Sequence, residues 1–79
     1  LVDDNLLKIY PNPTNGYLFV ESEINISEII IYNNLGELVL KDNNLNKYKA
    51  LDLSNLTKGT YYIKLNINNE IINRKIILK

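Results

Sequence analysis

The chain has 79 residues, nine basic and nine acidic side chains, a formal net charge of zero, and neither Cys nor His. That length fits one small domain. The missing residue types exclude disulfide staples, thiolate or imidazole metal sites, Ser-His-Asp triads and Cys-His dyads, and zero net charge argues against sequence-independent nucleic-acid binding, whose footprint is a basic face.

The charge is unevenly spread: residues 1–40 hold only Lys8 against six acidic groups, whereas 41–79 hold eight basic groups against three acidic ones. No apolar run approaches the ~18 residues a membrane-spanning helix needs, so no transmembrane segment is expected. The chain opens on Leu1 without an initiator Met or a leader-like stretch, which suggests a piece of a longer protein. Residues 1–79 are therefore read as one domain, with 1–5 as a solvated linker from whatever lies upstream.

In chain order, Leu6–Tyr10 reads as a first strand. It stops at Pro11-Asn12-Pro13-Thr14-Asn15-Gly16, where two fixed φ angles, two turn-forming asparagines and a glycine predict a rigid corner that no paired strand runs through. Tyr17–Glu21 is a second strand with Leu18 and Val20 on one face and Tyr17, Phe19 and Glu21 on the other. Ile26–Tyr32 is a third, aligning Ile29 with Ile31 and turning Glu28 and Ile30 the other way. Asn33-Asn34-Leu35-Gly36 turns the chain into a fourth strand, Glu37–Lys41, to make a hairpin.

Asp42-Asn43-Asn44-Leu45-Asn46 is the most polar loop. Its alternating oxygen ligands bear a faint likeness to a calcium loop, but the glycine and the distal bidentate Glu are missing and Asx-rich turns are common without an ion. No metal or cofactor is expected. Tyr48–Leu53 is a fifth strand, leading into the most specific stretch of the chain, LDLSNLTKGTYYIKL at Leu51–Leu65. There Ser54-Asn55 bends the backbone, Leu56 plugs the core from the bend, Gly59 takes a positive φ, and one of Tyr61 and Tyr62 is a packing or corner tyrosine opening a sixth strand, Thr60–Ile67. Asn68-Asn69 suits a primed turn, so Glu70–Leu78 should pair antiparallel with the sixth strand.

Seven period-two segments, turns every 8–12 residues and no helical periodicity predict an all-β fold, a seven-stranded antiparallel immunoglobulin-like β-sandwich, with a small open barrel as the alternative. The last strand, with its apolar stripe and the cations Arg74, Lys75 and Lys79, reads as an exposed edge with unpaired backbone groups. Its charges would at the least guard it against aggregation.

Four segments, YPNPTNGYLFVE at Tyr10–Glu21, IIIYNNLGELVLK at Ile29–Lys41, LDLSNLTKGTYYIKL and RKIILK at Arg74–Lys79, occur in an order that resembles the type A C-terminal sorting domain of the bacterial type IX (Por) secretion system. The likeness spans nearly the whole chain. Pro13 and Gly16 match the family's proline-to-glycine corner, Gly59 and Tyr61 its Gly-x-Tyr element, and Lys75 and Lys79 its basic, apolar, basic ending. Thr57 stands where many members have proline.

The resemblance implies an address carried at the end of a secreted passenger from a Bacteroidetes-type bacterium. It would be read by type IX translocon and shuttle components during periplasmic transit. A sortase-like surface peptidase would then remove it, leaving the passenger at the cell surface or outside the cell. No nucleic acid or small-molecule substrate is expected.

An alternative of another class is an adhesive or carbohydrate-binding module, to which Tyr17, Phe19 and Tyr62 would contribute an aromatic platform. An enzyme is not expected, because the acidic residues are scattered over turns and outer faces instead of facing one another across a cleft.

Overall fold

Alternation of apolar and polar side chains gives seven strands, because period two puts every second residue on one face and burying that face requires a partner sheet. The computed structural model describes residues 4–43 and 46–79. A single 3-10 turn, Asp4–Leu6, is followed by β1 (Leu7–Tyr10), β2 (Tyr17–Ser22), β3 (Ile26–Asn33), β4 (Leu38–Asp42), β5 (Tyr48–Asp52), β6 (Gly59–Ile67) and β7 (Glu70–Leu78). The first strand thus begins one residue later than the pattern predicts, since Leu6 belongs to the turn.

The strands form two antiparallel sheets, ordered β1-β2-β5 and β4-β3-β6-β7. This is the sandwich and not the barrel. The fourth strand lies beside the third, because the hairpin turn holds them together: Asn33 Oδ1 accepts from the N–H groups of Leu35 and Glu37 at 3.0 and 2.9 Å, and Gly36 takes φ 83°. The link between β6 and β7 is the primed turn expected, with Asn68 and Asn69 at φ 52° and 65°.

The inner faces bury Leu18 and Val20 of β2, Ile29 and Ile31 of β3, Leu51 and Leu53 around the end of β5, Tyr61, Ile63, Leu65 and Ile67 of β6, and Ile76 and Leu78 of β7. Fully burying one such aliphatic side chain is worth about 1.5–3 kcal/mol, so this layer is the main source of stability. Leu56 packs on it from the bend as expected.

Ile30 turns outward as the alternation predicts yet is only 7% exposed. Its cross-strand partners are Lys41 and Lys64, whose aliphatic stems can cover an apolar neighbour while their ammonium groups stay in water. A bulge places Ser27 between the pairs Ile26–Ile67 and Glu28–Asn66, and the Ser27 hydroxyl donates to Asn66 O at 3.1 Å.

Candidate functional site

The proline corner does more than turn the chain. Both its X-Pro bonds, Tyr10-Pro11 and Asn12-Pro13, are cis, and it lies along the outer edge of β7. Asn12 acts there like one residue of a further strand: its Nδ2 donates to Lys75 O at 2.8 Å, and Ile77 N donates to its Oδ1 at 3.0 Å. Thr14 continues the cover through its backbone, donating to Ile77 O at 2.8 Å and accepting from Lys79 N at 2.9 Å in a parallel bridge opposite Leu78.

Thr14 is 1% exposed, and its hydroxyl donates to Tyr17 O and accepts from Gly16 N at 3.1 Å. One hydroxyl can do both, having a donor and two lone pairs. Two expectations are corrected here. The corner does pair with a strand, and the edge of β7 is not bare from the Lys75 carbonyl to Lys79, because a side-chain amide and a threonine backbone bond to Lys75 O, to both groups of Ile77 and to Lys79 N.

The second corner joins β5 to β6. Leu53 N donates to Gly16 O at 2.7 Å and Leu56 N to Leu53 O at 3.0 Å, while Asp52 Oδ1 accepts from Ser54 N at 2.9 Å. Hydrogen bonds from Ser54 first, and from Tyr17 in addition, hold the Asp52 carboxyl below its ordinary value. Gly59 has φ 153°, and a Cβ there would meet nothing within 4 Å, so glycine is favoured by the backbone angle and not by crowding. Tyr61, 5% exposed, donates its hydroxyl to Thr57 O, the arrangement of a tyrosine corner. Tyr62 points outward.

The six residues singled out by sequence therefore meet at one end of the sandwich. Gly59 pairs with Leu78 and Tyr61 with Ile76, Thr14 bridges to Leu78, and Pro13 stands between Asn12 and Thr14. Their roles divide. Gly16 and Tyr61 are buried, and Gly59 acts through its backbone angle, so these three shape the fold; Pro13, Lys75 and Lys79 are exposed. Sequence reasoning missed Asn12 and Thr14. Short polar side chains beside prolines signal local side-chain to backbone bonds, but nothing in the sequence points across to β7.

The outer face of the three-stranded sheet carries an aromatic row. Tyr10 and Phe19 lie 5.7 Å apart between ring centroids, Phe19 and Tyr48 6.4 Å, with Tyr10 41% and Tyr48 51% exposed. Tyr10 donates its hydroxyl to Glu21 Oε2. That bond, helped by slight desolvation and the nearby negative charge, pushes the Tyr10 phenol up to about 12. The platform expected from Tyr17, Phe19 and Tyr62 is thus built differently, since Tyr62 belongs to the other sheet.

Between β4 and β5, Lys49 Nζ and Asp42 form an ion pair at 2.9 Å. The polar loop between these strands lies partly outside the described residues. Among the described residues, no three acidic, His or Cys side chains gather as a metal site requires, and no helix is long and apolar enough to cross a membrane.

Residues 8–79 match the family model described as the secretion system C-terminal sorting domain. Beta-agarase A of Zobellia galactanivorans is 41% identical over 61 residues, which is 73% of this chain and 11% of that protein. The chain thus spans about a tenth of the length of the curated relative it matches. Among solved structures, CopC from Methylosinus trichosporium OB3b superposes with a TM-score of 0.53 at 18% identity, covering 95% of this chain and 85% of that one. This is a likeness of fold alone.

Proposed function

Because the chain belongs to the family of type IX secretion system C-terminal sorting domains, we propose that the end of the sandwich formed by the proline corner and β7 is what the secretion machinery reads. A sorting domain of this kind is not itself catalytic and acts by interacting with that machinery, which delivers proteins to the cell surface or the extracellular space. We extend this to periplasmic transit of an attached passenger, contact with translocon and shuttle components, and removal of the domain by a sortase-like surface peptidase. In this reading residues 1–5, of which 1–3 lie outside the described residues, lead from the passenger into the 3-10 turn, and the domain has no enzymatic activity of its own.

One observation carries this reading. The family match covers the chain from Lys8 to Lys79, and the exposed members of the matched motifs, Pro13, Lys75 and Lys79, share one surface while the buried members build the frame beneath it. Of the six motif residues, Pro13, Lys75 and Lys79 are accordingly proposed as the surface that is read, and Gly16, Gly59 and Tyr61 as the frame that holds it in place.

The test is fusion of residues 1–79 to a periplasmic reporter in a type IX-competent cell. Surface delivery that is lost on deleting 75–79 is expected, and a reporter that remains in the periplasm with the intact domain would overturn the reading. A second reading, an adhesive or carbohydrate-binding module, is favoured by the exposed row Tyr10, Phe19 and Tyr48. Retention of the isolated domain on an insoluble polysaccharide, abolished by Tyr48→Ala, would support it.

A further inference from the structure

β1 and β7 are edge strands of different sheets, and they flank a groove of about 620 Å³ with Asn12 at one end and Arg74–Ile76 along one side. Ladder alternation decides which backbone groups face it. Leu6 O accepts from Glu23 N across β1 and β2, so in β1 the outward groups are those of Leu7 and Ile9. Ile77 bonds to Asn12 and Thr14 and not to β6, so in β7 the outward residues are Ile71, Asn73, Lys75 and Ile77.

The corner satisfies Lys75 O and both groups of Ile77, and Arg74 Nη1 donates to Asn73 O at 3.0 Å. Cover stops there. Among the described residues, the backbone groups of Leu7 and Ile9 and the N–H groups of Asn73 and Lys75 have no backbone partner. The groove also carries the cations Lys8 and Lys75 in its lining, and among the described residues no carboxylate lines it. Leu7, Ile9 and Ile76 give it an apolar floor.

From this geometry we propose that the gap between β1 and β7 is a strand-acceptor site for an extended acidic segment of a protein partner. A guest strand of four or five residues matches the length of β1. Its backbone pairs with Leu7 and Ile9 on one side and with Asn73 and Lys75 on the other. Alternation sends its apolar side chains inward and its carboxylates outward between Lys8 and Lys75. The assignment of the partner to the secretion machinery rests on the sorting reading; the acceptor chemistry does not.

The probe is a fluorescent hexapeptide of alternating Glu and Val, titrated into the 79-residue chain and followed by anisotropy, with amide hydrogen exchange on the complex. Expected are saturable binding that weakens with added salt, new protection at Leu7, Ile9, Asn73 and Lys75, and no binding of the same peptide with Lys for Glu or with alternate amides N-methylated. Asn73→Pro removes only an outward N–H on an edge strand, a placement proline tolerates, and should lower affinity at least tenfold with the circular dichroism spectrum unchanged. Lys8→Glu with Lys75→Glu should do the same.

Equal binding of the N-methylated peptide or of polyphosphate would reduce the groove to a charged patch and overturn the proposal. So would protection confined to the Tyr10, Phe19 and Tyr48 face. A wild-type chain that exports a reporter but takes up no peptide sinks the acceptor site and leaves the sorting reading standing; a chain that takes up the peptide but exports nothing does the reverse.

Discussion

Replacing Tyr61 by Phe separates what the Gly-x-Tyr element does for the fold from anything a partner reads. The hydroxyl donates to Thr57 O at a bend, and Thr57 is exposed, so water can take up the released carbonyl and no full desolvation cost arises. The loss is then the net worth of one hydrogen bond, about 0.5–1.5 kcal/mol, or a fall in Tm of roughly 4–8 °C per kcal/mol for a domain this size. Tyr61→Ala removes the ring as well and should cost about 3–5 kcal/mol, against a total of roughly 4–12 kcal/mol for this length. Urea unfolding should show a lower midpoint with an unchanged slope for Tyr61→Phe, while a fused reporter still reaches the surface. An unchanged midpoint would mean that the hydroxyl anchors nothing. Loss of export from a folded Tyr61→Phe protein would mean that a side chain 5% exposed is read directly, and the division between frame and read surface would fail.

The remaining predictions follow the same division. Gly59→Val should cost on the order of 1–3 kcal/mol through its backbone angle alone, and an unchanged melting temperature would refute that. Lys75→Glu with Lys79→Glu should change stability by no more than about 0.5 kcal/mol yet trap a fused reporter in the periplasm; full export would make these cations a solubility guard. Ile76→Asp, placing a charge at a position with no exposure, should unfold the domain and block export, and a cooperative melt near the wild-type temperature would contradict it. Tyr10, whose phenol is raised from 10.0 to about 12, contributes stability that is intact below pH 10 and lost between pH 10 and 12. Absorbance titration at 295 nm should show one late-ionising tyrosine that returns toward 10 in Glu21→Gln. Asp52, held low, contributes stability that is present above 3.8 and lost as the pH falls below it.

Strand positions were legible because alternation is local: Leu18 and Val20, or Ile63 and Leu65, declare their faces without reference to anything distant. The turn at Asn68-Asn69 and the tyrosine corner were equally local, since each is set by residues within four or five positions. What depends on register was not legible. Tyr10, Phe19 and Tyr48 become neighbours only once β2 is laid between β1 and β5. Asn12 reaches β7 only because the sandwich closes, so its sequence neighbourhood advertised a turn and nothing more. The two bulges of β3 are invisible for the same reason.

The cover over β7 joins Asn12 to residues 63 and 65 positions further on. During synthesis the corner therefore emerges from the ribosome long before its partner exists, and only completion of β7 gives it anything to hold. Contacts of such separation close late, because the loop entropy must be met first. A chain broken off before Lys75 keeps six strands whole and part of β7, yet leaves Asn12 and Thr14 without their partners and β7 without Ile76 and Leu78. The clasp thereby forms only when β7 is whole, so a reader of this surface would distinguish chains that carry the entire strand from those cut short within it.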